Sequence, residues 1–179
     1  MHRPFTDREN YTGRINGYME KDILKETDRK RTVVSHKELI ERKGSTIASP
    51  VSGSMRPLVR PCRDCAVFVR PEEGKLRKYD IVLYMRGDRT IMHRIIGMRQ
   101  EAFAEEPVYI IRGDNSCTKE YVPASRIFGR MTMLYRGERC IRCDTPAFRL
   151  LSRLLVKLNP LFRLYRRLRR RLRRRFQGA

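Results

Sequence analysis

Residues 80–98 read DIVLYMRGDRTIMHRIIGM, and this stretch decides the fold class. Two runs rich in β-branched and aromatic side chains, DIVLYM (80–85) and TIMHRIIGM (90–98), stand on either side of Gly87. Runs of this length and composition, bounded by glycine, read as strands. Working outward, the same signature recurs in TIASPV (46–51), CAVFVR (65–70), PVYIIR (107–112) and RIFGRMTMLYR (126–136), separated by Gly53, Pro61, Gly74, Gly113 and Gly137. Short strands at this spacing predict a mostly β, compact antiparallel fold.

The flanks read differently. Residues 1–31 are polar and charge-balanced, with little apolar periodicity, and are expected to be mobile or weakly helical. Val33, Val34, Leu39 and Ile40 predict a short helix from Thr32 to Lys43, stopped by Gly44. The strand-rich domain is therefore drawn over 32–143. After Asp144 the pattern turns helical. Thr145-Pro146 and Asn159-Pro160 each look like an N-cap followed by a first-turn proline, which predicts two helices meeting near Pro160. Leu151, Leu154, Leu158, Leu161, Tyr165, Leu168, Leu172 and Phe176 recur every three or four positions with arginines between them, so 144–179 is expected to be a basic amphipathic helical tail.

Charge sharpens that division. The net charge is +21, and the segment after Asp144 holds 12 basic residues and no acidic one. Such a segment calls for an anionic partner. A solvated charge run needs no leucine stripe, and basic nucleic-acid arms usually lack regular apolar spacing, so an anionic membrane surface is the expected partner and nucleic acid is not. No secretory signal and no stretch long enough to span a membrane is readable, which predicts a cytoplasmic chain peripheral to the membrane. Five cysteines suit free thiols in a reducing compartment. Cys62-x-x-Cys65 and Cys140-x-x-Cys143 invite a zinc reading, but they lie far apart and each abuts a strand where small apolar residues would serve; no metal and no cofactor is assigned.

Three segments carry chemistry. In Val51-Ser52-Gly53-Ser54-Met55-Arg56-Pro57 a small-residue turn can expose a hydroxyl and leave backbone N–H groups free for an oxyanion. Ile91-Met92-His93-Arg94-Ile95-Ile96-Gly97 sets a histidine, the side chain best matched to general-base work, within a β-rich run. Ile111-Arg112-Gly113-Asp114-Asn115 ends a strand in a turn whose Asp114 could orient a histidine.

In this order, together with the run RKYDIVLYM and the segment Ile127-Phe128-Gly129-Arg130, these segments resemble the boxes of the signal peptidase I family, whose fold is shared with the self-cleaving LexA-type peptidases. The similarity covers about Ser45 to Met133. The resemblance implies a serine endopeptidase acting on a peptide or membrane-tethered precursor, with Ser54 as nucleophile, His93 as base in the histidine subtype, Asp114 in support, and Ser52 as a second oxyanion donor. Met55 is expected to pack beneath the cleft. Relatives of that subtype often carry a further aspartate after the GDN turn, and here the nearest carboxylate is Glu120. Family members are also anchored by a spanning helix, and none is readable in this sequence, so peripheral attachment is expected instead. Two alternatives stay open: a LexA-like self-cleaving DNA-binding regulator, weakened by the absence of a preceding helix-turn-helix and by His at the base position, and a non-catalytic peptide-binding module with the same fold.

Overall fold

The computed structural model describes residues 34–72, 74–100 and 106–176, with side chains described as far as residue 162. The polar segment 1–31 lies outside the described residues, as do the side chains of Tyr165, Leu168, Leu172 and Phe176.

The DIVLYM and TIMHRIIGM runs form a hairpin of β3 (Ile81–Arg86) and β4 (Arg89–Arg99), with Arg86 opposite Arg89 across a two-residue turn. Gly87 takes φ +58° in that turn, a left-handed value that glycine adopts without strain. The other predicted runs become β1 (Ser45–Ala48), β2 (Asp64–Val69), β5 (Val108–Arg112) and β7 (Ile127–Arg136). Two further strands, β6 (Glu120–Pro123) and β8 (Arg139–Arg142), were not expected. Both are short, and β6 contains a proline tolerated because the strand lies at an edge. All pairings are antiparallel, in the order β1-β2-β7-β3-β4-β5-β6, with β8 against the end of β7.

Successive strand residues point to opposite faces, and β3 is buried on both. Ile81 and Leu83 enter a core with Met55, Phe68, Leu134, Phe148 and Leu155, whereas Val82 and Tyr84 enter a second core with Ile95, Tyr109 and Ile111. This explains why the run reads as continuously apolar. Helix α1 (His36–Lys43) is capped by Ser35, its Oγ accepting from the Glu38 N–H at 3.1 Å, while Thr32 and Val33 of the predicted range lie outside the described residues. Gly44 ends it at φ +75°. Its Ile40 packs against Gly129, where a Cβ would meet the Ile40 Cδ1 at 3.0 Å.

The two helices expected to meet near Pro160 are one element, α2 (Pro146–Phe176), with Pro160 inside it. Asn159 does not cap a second helix, because its side chain is engaged with the sheet domain. Phe148, Ser152, Leu155 and Asn159, at spacings of four, three and four, form the buried stripe of α2. The predicted leucine stripe is a different face: Leu151, Leu154, Leu158 and Leu161 are exposed. A boundary at residue 144 thus separates the sheet from a helix segment that completes its core. No helix among the described residues is long and apolar enough to cross a membrane.

Candidate active site

Gly53–Met55 forms a single 3-10 turn. Met55 is fully buried and roots that turn in the first core, as its expected packing role requires, while Ser54 remains half-exposed beside a cleft of about 740 Å³. The Ser52 hydroxyl donates to Ser54 Oγ at 3.1 Å and accepts weakly from the Ser54 N–H at 3.5 Å. The two serines are thus brought together, and the N–H that an oxyanion would need is only lightly engaged.

His93 reaches the same cleft from β4. Its Nδ1 lies 3.1 Å from the Tyr84 hydroxyl and 3.3 Å from Glu120 Oε1. The Tyr84 hydroxyl also hydrogen-bonds Glu120, and burial followed by that bond pushes the phenol pKa up, so its proton is committed to the carboxylate. With acceptors gathered at Nδ1, neutral His93 carries its proton there and presents Nε2 as the base. Burial lowers the His93 pKa below the ordinary 6.5, against the opposing pull of the Glu120 charge.

Gly113 packs against both the His93 ring and the backbone of the serine turn. A Cβ there would stand 2.8 Å from the Ser54 carbonyl oxygen and 2.9 Å from His93 Nε2, so only glycine allows both to approach. Next to it, the Asn115 N–H donates to the Ser54 carbonyl at 2.7 Å, and Asn115 Nδ2 to the Gly53 carbonyl at 3.0 Å. The GDN turn therefore clasps the serine turn.

Asp114, expected to orient and stabilise protonated His93, makes its side-chain hydrogen bonds to Arg94 instead, though its charge still favours the protonated imidazole. Its carboxylate binds Arg94 in a two-pronged pair, Nε to Oδ1 at 2.7 Å and Nη2 to Oδ2 at 2.8 Å. The reason is strand alternation: His93 and Arg94 are neighbours on β4 and face opposite sides of the sheet. Glu120 holds the place at the imidazole instead. It pairs with Ile111, which pairs with Ile95, and this row shares the His93 face. Sequence reading assigns Glu120 no role, presents Asn159 only as a helix cap, and does not single out Tyr84, Arg94 or Ser152. The only local signal was Glu120's place after the GDN turn.

The cysteines do not converge. Cys65 and Cys140 are both register partners of Tyr135, on opposite sides of β7, which puts them two strand spacings, about 9–10 Å, apart. Burial pushes the Cys143 thiol up to about 12, away from the thiolate that zinc binds. Among the described residues no group of three or more His, Cys, Asp or Glu side chains could hold a metal ion.

Comparison with protein-family models and with curated proteins finds no match.

Proposed function

We propose that the chain is a serine endopeptidase of the signal peptidase I type, histidine subtype, with the LexA and signal-peptidase fold. The observation that supports this reading is the setting of His93: Tyr84 and Glu120 hold Nδ1, while Nε2 and the Ser54 carbonyl both lie close against Gly113, beside the serine turn. His93 Nε2 takes the Ser54 proton as Oγ attacks the substrate carbonyl carbon. The oxyanion is held by the Ser54 N–H and the Ser52 hydroxyl. Protonated His93 then gives its proton to the departing amine, the C–N bond breaks, and an acyl ester remains on Ser54. Water, deprotonated by His93, attacks that ester and frees Ser54.

The substrate is a peptide leader or a membrane-tethered precursor, and the chain works at the cytoplasmic face of an anionic membrane. Support for that location is the basic α2, with Leu150, Leu151, Leu154, Leu158, Leu161 and Phe162 exposed beside it. A second cleft, of about 270 Å³ around the base of α2, is lined by four basic residues, Arg77, Lys78, Arg149 and Arg153, against the one carboxylate of Asp80, a balance that suits anionic headgroups.

A fluorophosphonate probe tests the reading. The wild-type chain is expected to label on Ser54, with Ser54→Ala abolishing labelling and His93→Ala reducing it at least 10³-fold. An unlabelled wild-type chain with intact fold would refute it.

A further inference from the structure

The buried stripe of α2 contains two apolar residues, Phe148 and Leu155, and two polar ones, Ser152 and Asn159. Ser152 Oγ accepts from Arg94 Nη1 at 2.8 Å, and the same nitrogen donates to the Tyr79 carbonyl at 2.9 Å. Asn159 is 1% exposed, and among the described residues its side chain makes one hydrogen bond, Nδ2 donating to the Asp114 carbonyl at 2.5 Å, while its buried Oδ1 has no hydrogen-bond partner among them. A leucine on this stripe would avoid that desolvation cost. The amide orientation is fixed chemically, since a carbonyl can only accept.

The Asp114 carbonyl belongs to the same peptide plane as the Asn115 N–H, and that N–H donates to the Ser54 carbonyl at 2.7 Å. In a trans peptide the C=O and N–H point in opposite directions, so gripping one end fixes where the other points. The plane is held at both ends, by α2 on one side and the serine turn on the other. Hydrogen bonds linked through one peptide also polarise one another.

We infer that Asn159 is a positioning residue, which locks the Asp114–Asn115 peptide plane and through it sets Ser54 against His93, so that α2 is a working part of the site. This rests on the reading of Ser54 as nucleophile. Asn159 touches neither Ser54 nor His93 among the contacts above; its action passes through one peptide unit.

The test uses the full-length chain carrying Asn159→Leu, with two readouts below the melting temperature: the rate of fluorophosphonate labelling from pH 5 to 9, and hydrogen exchange of the Asn115 amide. We expect labelling at least tenfold slower, an acid limb at unchanged pH because the surroundings of His93 are intact, and Asn115 exchange at least tenfold faster. Asn159→Gln, which retains the donor, is expected to recover part of both. Unchanged labelling, or Asn115 exchange equal to wild type, overturns the inference. If Asn159→Leu is too unstable to assay, the same readings on Asn159→Ala decide. A wild-type chain that fails to label refutes the peptidase reading instead, and the exchange measurement still decides whether Asn159 locks the peptide.

Discussion

His93 is the residue on which pH dependence turns. Burial is the larger influence and lowers its pKa, and the Glu120 charge raises it. The acid limb of kcat/KM is therefore expected below pH 6.5. Glu120→Gln removes the raising charge and the orienting carboxylate together, so it should move the limb to still lower pH and lower kcat. A limb moving upward would count against Glu120 as the partner of Nδ1. The same shift has a stability consequence: below pH 6.5 the unfolded chain binds more protons than the folded one, so stability falls as pH drops through that value. Gly113 makes the steric counterpart. Gly113→Ala drives a methyl to 2.8 Å from the Ser54 carbonyl, which is backbone and cannot swing aside. Overpacking of this kind costs about 1–3 kcal/mol. Because the displaced atoms are nucleophile turn and base, probe labelling should fall at least tenfold while the far-ultraviolet circular dichroism spectrum persists.

Between elements, the Arg94–Asp114 pair joins β4, the turn after β5, and α2. Arg94 is 0% exposed and its guanidinium meets Asp114, the Tyr79 carbonyl and Ser152. Arg94→Met leaves the Asp114 carboxylate buried and unpaired, a loss of about 3–5 kcal/mol for a broken buried pair. Replacing both partners, Arg94→Met with Asp114→Leu, removes both charges and should recover much of that stability in urea denaturation without restoring activity. Equal destabilisation by the single and double variants would show that the pair contributes nothing beyond its packing. Asp114→Asn, by contrast, removes no hydrogen bond to His93, because the carboxylate faces Arg94, and acts on the imidazole only through the lost charge.

At the scale of the whole molecule, α2 has two assignments on separate faces. Phe148, Ser152, Leu155 and Asn159 face the sheet, and the exposed leucines are left free by that docking. Nine of the twelve basic residues after Asp144 follow Phe162. Each basic residue close to an anionic surface contributes about 1 kcal/mol, so this distal part should dominate membrane attachment. The full-length chain is expected to float with phosphatidylserine vesicles, less so at high salt. A chain ending at Phe162 should lose most flotation and keep probe labelling. A chain ending at Cys143 should lose both, since it lacks Ser152 and Asn159. Retained labelling in that shorter chain would show that α2 has no part in the site.

Composition and periodicity alone were enough for the mostly antiparallel β class, the helix ended by Gly44 and the basic helical C-terminal segment, and they marked the Ser52–Ser54 turn and the His93 strand as segments without giving them roles. These are local properties: β-branched runs, glycine stops, charge runs and small-residue turns are written in consecutive residues. Tertiary structure decided the partners. Glu120 reaches His93 only because the register of β4, β5 and β6 puts them on one face, and Asp114 misses it because adjacent strand residues face opposite sides. The leucine spacing of α2 was legible, but which stripe is buried depends on the Phe148, Ser152, Leu155 and Asn159 sites offered by a sheet assembled from distant segments.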